Sequence, residues 1–307
     1  MKAQFQGFRR VLTGVSALAA TVMFAGQALA QDLLGQPTPG AIDLQPAASS
    51  LKHDAIWFHN VILMPIITVI TLFVLALLIW IAIRYNKKSN PIPAKFSHNT
   101  TIEIIWTVVP VIILMVIAIF SFRLLFAYND MPKPYMTVKA TGYQWYWGYE
   151  YPDQKISEIV SVGLSEADAK AKNVPYRLAA DNALVVPVNQ VVRVQVTGAD
   201  VIHAFALPAF GLKTDAIPGR LNETWFKAEK TGVFYGQCSE LCGVDHAFMP
   251  IEIKVVSQAE FDAWVQSKTA PPAAAPVADA AAPAAAVATP VAAPVTAPAA
   301  APAAPAV

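Results

Sequence analysis

Two uncharged apolar runs dominate the first half of the chain. Val61 to Ile83 covers 23 residues and Ile104 to Phe120 covers 17. A helix needs about 20 apolar residues to cross roughly 30 Å of hydrocarbon. The first run meets this alone, and the second meets it when Ile102 and Leu124-Leu125-Phe126 extend it. Pro65 falls near the outer end of the first run, where a lost backbone hydrogen bond is easiest to accommodate. Trp57 and Trp80 stand near its two ends, where interfacial aromatics collect. Between the runs lie Arg84, Lys87, Lys88 and Lys95 with no acidic residue. By the positive-inside bias this loop is cytoplasmic, and both ends of the mature chain face outward. An earlier apolar stretch, Val11 to Ala25, is short and interrupted by Gly14 and Ser16. Lys2, Arg9 and Arg10 precede it, and an A-x-A-like site, Ala28-Leu29-Ala30, follows it. This predicts an export signal cleaved after Ala30 rather than an anchor.

Beyond Tyr128 the pattern changes to short β-rich segments: Met136–Ala140, Gln144–Tyr151, Leu184–Val188, Val191–Thr197, Val201–Ala206, Glu223–Lys227, Gly232–Gly236 and Ile251–Val256. Turn residues at Pro187-Val188-Asn189, Thr197-Gly198 and Lys230-Thr231-Gly232 punctuate them, which predicts a sandwich or Greek-key barrel. Val160 to Arg177 is polar and weakly helical, an expected insertion loop. Ser257-Gln258-Ala259-Glu260 is a capping-box signature for a closing helix to Ser267. From Ala270 onward the chain is almost all Ala, Pro and Val, with nine prolines and Asp279 as its one charge. Such a tail forms neither stable helix nor packed core. The expected division is a signal at 1–30, an exported segment at 31–55, a membrane hairpin at 56–126 with a cytoplasmic loop at 84–101, an exported domain at 127–269, and a disordered tail at 270–307.

Composition changes this picture little. The chain has 307 residues, 55% of them hydrophobic, and a formal charge of +1. That excludes a strongly basic nucleic-acid binder and a chain disordered throughout.

The candidate chemistry is concentrated in Gln237 to Met249, Q-C-S-E-L-C-G-V-D-H-A-F-M, which holds both cysteines of the chain, Cys238 and Cys242. His246 and Met249 lie in the same loop, and His203 supplies a second imidazole upstream in V-I-H-A-F-A-L-P. Thiolate, imidazole and thioether together select copper. One copper of that kind needs one cysteine, so a second suggests two metals held by a shared thiolate pair. A disulfide is the alternative that an oxidising compartment favours, but it needs neither the histidine nor the methionine.

C-S-E-L-C-G-x-x-H-x-F-M with an earlier D-V-I-H resembles the dinuclear copper (CuA) site of cytochrome c oxidase subunit II, in the haem-copper oxidase family of alphaproteobacterial and mitochondrial type. The resemblance covers Ala55 to Ser267. It implies a two-helix membrane hairpin followed by an all-β cupredoxin-like Greek-key barrel. Cys238 and Cys242 would bridge the coppers, His203, His246 and Met249 would complete them, and Glu240 would add its backbone carbonyl. The Glu240 carboxylate would reach a magnesium shared with subunit I, as suits a hard cation.

Tyr143 to Tyr151, Y-Q-W-Y-W-G-Y-E-Y, reads first as core and cross-strand packing. It also resembles the family's G-H-Q-W-Y-W-x-Y-E-Y, with Tyr143 in place of the usual histidine. This gives Trp145 the role of electron-input residue for cytochrome c. By motif position Glu150, Asp181 and Asp200 resemble the family's docking carboxylates. Over Tyr128 to Thr269 there are 16 acidic and 13 basic side chains, a net of −3, mild support for a basic partner. Glu103, in T-I-E-I-I-W-T-V-V-P, is either a functional charge at a membrane edge or a solvated carboxylate favoured by the helix dipole. The resemblance makes it the mouth of a proton path. Asp215 and Arg220 fall in a segment that in the family faces subunit I, and they fit an internal salt bridge equally well.

The implied protein is a terminal-oxidase subunit in the bacterial inner (plasma) membrane, with its copper domain on the periplasmic side. It would take electrons from cytochrome c and pass them to haem in subunit I, where oxygen is reduced to water with proton pumping; subunit III is a further expected partner, and no nucleic acid is involved. Quinol-oxidase subunits lack these copper ligands. Nitrous-oxide reductases carry a large propeller and lack the hairpin, and free blue-copper carriers need no anchor. No C-x-x-C-H occurs, so no attached c-type haem is expected.

Overall fold

A computed structural model describes residues 33–92 and 94–270. The expected export signal at 1–30 and the Ala/Pro-rich tail beyond Ala270 lie outside the described residues.

The first apolar run forms the core of a longer helix, α1 (Ser50–Arg84). It begins eleven residues earlier than Val61 because Ser49 caps it, its hydroxyl accepting the Lys52 N–H. From Phe58 to Leu63 the winding widens to a π-helical turn. Pro65 follows directly; it has no N–H to donate and its ring crowds the carbonyl four residues back, so wider winding there relieves both problems. The second run forms α2 (Thr100–Asn129), capped by the Asn99 side chain on the Ile102 N–H, with Pro110 inside it. No residue of Met64–Arg84 or of α2 is buried, so both apolar surfaces await lipid or another protein. Each helix is long and apolar enough to cross a membrane.

Ten strands follow: β1 (Met136–Tyr143), β2 (Tyr146–Tyr151), β3 (Ile156–Ser161), β4 (Leu184–Pro187), β5 (Val191–Gly198), β6 (His203–Leu207), β7 (Leu212–Ala216), β8 (Asn222–Lys227), β9 (Gly232–Cys238) and β10 (Pro250–Val256). They make two five-stranded sheets, ordered β3-β2-β1-β5-β8 and β4-β10-β9-β6-β7. The β1–β5 and β4–β10 pairs are parallel and the rest antiparallel. This is the sandwiched, cupredoxin-like architecture expected. Two strands, β3 and β7, were not expected. The segment expected as a strand from Gln144 starts at Tyr146, because Tyr143 pairs with Tyr146. Gln144 and Trp145 are therefore the tip of a hairpin, presented rather than packed in a ladder. The expected insertion contains the short helix α3 (Glu166–Ala171), and its first residues belong to β3. A closing helix, α4, spans Gln258–Thr269.

Alternation in β5 sends Val192, Val194 and Val196 inward. Strand β6 is buried at all five positions, the pattern of a strand with no solvent face. Between the sheets Trp147 meets Phe205 edge-on at 5.5 Å, and Phe210 stacks on Phe226 at 4.7 Å. The hairpin is tied to this domain at both ends. Ala48 N–H donates to the Ala209 carbonyl (2.9 Å), the Ser49 hydroxyl to the Phe210 carbonyl (2.9 Å), and Trp225 Nε1–H to the Tyr128 carbonyl (3.1 Å).

Candidate metal centre

Strand β9 ends on Cys238 and β10 begins at Pro250, with Gln237 opposite Pro250. The loop between them is held shut by the Cys238 N–H on the Met249 carbonyl (3.2 Å) and the Ser239 N–H on the Ala204 carbonyl (3.1 Å). A single 3-10 turn, His246–Phe248, swings His246 back toward the cysteines. His203 heads β6, the neighbour of β9, where Phe205 lies opposite Cys238. Sheet register, not sequence proximity, brings this imidazole to the loop.

The donors converge on the two sulfurs. Cys238 Sγ is 3.9 Å from His203 Nδ1 and 3.3 Å from the Glu240 carbonyl oxygen. Cys242 Sγ is 3.5 Å from His246 Nδ1 and 3.5 Å from Met249 Sδ. The sulfurs are 3.8 Å apart, far beyond the ~2.05 Å of a disulfide, and both cysteines are free. The disulfide alternative is not what this geometry holds. His203, Cys238, Cys242 and Met249 are buried, and His246 is half-buried. Burial first, then the neighbouring Cys238 sulfur, pushes the Cys242 thiol up to about 12. A set of thiolates, imidazoles and a thioether suits copper.

A second layer orients the first. His203 Nε2 lies 2.8 Å from Asp200 Oδ1, so Nδ1 is the nitrogen left facing Cys238. Asp200 also accepts the Gln144 N–H (2.7 Å) and the Val201 N–H (2.6 Å). Burial raises the Asp200 pKa, but the His203, Val201 and Gln144 hydrogen bonds together outweigh it and hold the carboxyl below its usual range. The Cys242 carbonyl accepts two hydrogen bonds from the hairpin tip: Gln144 Nε2 at 2.8 Å and Trp145 Nε1 at 3.3 Å. Trp147 packs edge-on against the His203 ring at 6.2 Å. Gly142 lies so close that a Cβ there would sit 2.9 Å from that ring. Gly243 adopts φ 128° directly under Trp145, where a Cβ would come within 2.9 Å of the indole.

The remaining candidates are dispersed. Glu150 pairs with Lys139 at 2.7 Å across the β1–β2 ladder. Asp181 accepts the Val162 N–H at 2.7 Å and fastens the insertion loop. No hydrogen bond or ion pair among the described residues links Glu150, Asp181 and Asp200 to one another. The Glu240 side chain is exposed, 3.6 Å from Lys213 Nζ, and Lys213 also pairs with Asp215 at 2.8 Å. Asp215 thus finds Lys213 rather than Arg220. Glu103 sits in the first turn of α2 and accepts the Asn99 N–H at 3.3 Å. Gln144 and Lys213 were not singled out from sequence. Gln144 had one available signal, its place between Tyr143 and Trp145 in the aromatic motif.

Two family models match the chain: the periplasmic domain of cytochrome c oxidase subunit II over residues 136–256, and its transmembrane domain over residues 37–124. A cytochrome c oxidase subunit 2 from Cereibacter sphaeroides is 46% identical over 270 residues, covering 83% of this chain and 89% of the relative. A probable cytochrome c oxidase subunit 2 from Rickettsia conorii is 52% identical over 233 residues, covering 76% of this chain and 73% of the relative. The crystal structure of the periplasmic domain of subunit II of cytochrome oxidase from Bradyrhizobium japonicum is 64% identical, covers 45% of this chain and 96% of its own, and has a TM-score of 0.42.

Proposed function

The chain belongs to the cytochrome c oxidase subunit II family, and from that premise we propose how its own residues deliver electrons to the site of oxygen reduction. It is a membrane-anchored subunit of the terminal oxidase with a copper site in its β domain.

The copper centre is dinuclear in this proposal. Two free sulfurs 3.8 Å apart, where a single copper of this kind needs one, support a shared thiolate pair. Cys238 and Cys242 would be shared, with His203, His246, Met249 and the Glu240 carbonyl completing the set. Bound copper supplies reversible one-electron chemistry. The chain supplies a largely buried cluster whose His203, Cys238, Cys242 and Met249 side chains are packed away from solvent. Trp145 is the proposed electron-input residue: it lies at a hairpin tip, half-buried, and its indole N–H bonds the carbonyl of a candidate ligand. A basic cytochrome c would dock over it, with Asp200 beside the tip and Glu150 and Asp181 further away.

Electrons would leave toward haem in subunit I. The exposed Glu240 carboxylate would share a magnesium with that subunit in place of its Lys213 contact. Glu103 at the start of α2 is the proposed mouth of a proton path, and subunit III is a further partner. The basic inter-helix loop supports an inner-membrane location with the copper domain periplasmic. Residues 1–30 would be the signal, 31–55 an exported lead, 56–126 the hairpin, 127–269 the copper domain and 270–307 a loose tail.

The observation that carries this function is the convergence of four donor groups, two imidazoles, a thioether and a carbonyl, on two free, buried sulfurs. The test is to load the purified full chain with copper, count metal per chain and record its EPR spectrum. Two coppers sharing one unpaired electron are expected, and Cys242→Ser or His203→Ala should abolish the signal. One copper with an unshared electron would indicate a mononuclear carrier. No copper, with the cysteines oxidised in protein from its native membrane, would leave a scaffold role.

A further inference from the structure

A cavity of about 360 Å³ opens between α1 and α2 at the end of the hairpin nearest the β domain. That volume lies within the ~300–1,000 Å³ range of small-ligand sites. Asp54, Trp57 and Phe58 of α1 face Phe120, Arg123 and Leu124 of α2 across it. Trp57 and Phe120 meet edge-on at 5.8 Å and form an aromatic wall. The π-helical turn of α1 begins at Phe58, on the cavity's edge. Such turns recur at functional sites.

The two charged groups are what make this cavity more than a seam between helices. Arg123 lies in the last two turns of a helix that can cross a membrane, where a cationic side chain reaches for the interface and its phosphates. Neither Arg123 nor Asp54 forms an ion pair or side-chain hydrogen bond with any described residue. A cation and an anion line one cavity, unpaired with each other, beside an aromatic wall near the β-domain end of two helices apolar enough to cross a membrane.

We propose that this cavity binds the headgroup of a phospholipid bearing both a phosphate and a primary ammonium, of the phosphatidylethanolamine class. The Arg123 guanidinium presents a planar fork of donors that matches phosphate oxygens. Asp54 accepts hydrogen bonds from the ammonium, and the Trp57 face is available to the same cation. Leu124 and Phe58 continue as apolar surface toward the acyl chains. Charge complementarity selects this headgroup over its neighbours. An anionic headgroup would satisfy Arg123 and leave Asp54 facing a phosphate. A quaternary choline has no N–H for Asp54. An apolar occupant would leave both charges unpaired.

The experiment places the purified full chain in nanodiscs of ethanolamine, choline and glycerol phospholipids in equal parts, then re-extracts it in mild detergent. Native mass spectrometry counts the lipid retained per chain. One ethanolamine lipid is expected, about tenfold over the other two, the scale of one charge-assisted hydrogen bond. Arg123→Gln should lower retention of every phospholipid by a similar factor. Asp54→Asn should remove the preference for ethanolamine over choline and leave overall retention nearly unchanged. Copper content and Tm should not move in either variant. Equal retention of the three lipids, or variants indistinguishable from the parent, overturns the proposal. So does assembled oxidase carrying no ethanolamine lipid, since another subunit would then fill the cavity. If Arg123→Gln fails to fold, the headgroup preference of Asp54→Asn decides alone.

Discussion

Asp200 gathers three donors, the His203 ring and the N–H groups of Gln144 and Val201, which is more than a docking charge requires. Asp200→Asn keeps an oxygen for the backbone donors but no longer fixes the imidazole through a carboxylate. Copper affinity is expected to fall 10–100-fold, the usual scale for such outer partners, in competition with a chelator. Unchanged copper affinity with slower reaction toward cytochrome c would instead assign Asp200 to docking alone. Gly142→Ala tests the same ring from behind. Its new Cβ would sit 2.9 Å from a fully buried imidazole, and overpacking of that kind costs about 1–3 kcal/mol. A urea melt of copper-free protein should show the loss, and an unshifted midpoint would mean that the ring has slack. The donors themselves were legible because most fall within one loop, and soft ligands in that spacing serve few other ends. Gln144 was not, since an exposed amide is unremarkable until the fold joins it to a carbonyl 98 residues away.

Elements were legible in proportion to how long and regular their apolar runs or stripes are. The apolar runs marked the middles of α1 and α2 but not their ends, where Ser50–Trp57 is polar and is held by a cap and by the β domain. Strands β3 and β7 both lie at sheet edges. Only their terminal residues are fully buried, so neither shows an alternating stripe. Central β6 was expected, though from Val201. It starts at His203 because Asp200 holds Val201 in a turn. Phe205 in β6 is fully buried against Trp147, and Phe205→Ala should cost about 3–5 kcal/mol, read by denaturant melt. On β10, burial raises the Glu252 pKa although the Ala180 N–H donates to its carboxylate. A folded-state pKa above the unfolded value gives stability that is present in acid and lost as pH rises through the folded value. Glu252→Gln should therefore raise Tm near neutrality and change it little at acid pH, where the Glu252 carboxyl is protonated in the folded and unfolded states alike. Parallel Tm curves for the two proteins would show that nearby Lys172 and Lys254 already offset the burial.

At the scale of the whole molecule, the ties at both ends of the hairpin decide its topology. Ala48 and Ser49 bond to Ala209 and Phe210, and the Tyr128 carbonyl bonds to Trp225. The start of α1 and the end of α2 therefore lie on one side with the β domain. If both helices cross, the loop carrying Arg84, Lys87, Lys88 and Lys95 must lie on the other. In the proposed orientation that loop is the cytoplasmic one, which its charge bias favours independently, so sequence and fold bear on orientation through unrelated physics. A protease-recognition sequence inserted after Lys88 should be cut only after the membrane of intact spheroplasts is opened. The same sequence inserted after Thr269 should be cut from outside. The reverse pattern would invert the orientation and put the candidate copper centre out of reach of an exported cytochrome c. Cleavage of both from outside would mean that the two apolar helices do not span at all, and their unburied apolar surfaces would then need a protein partner rather than lipid.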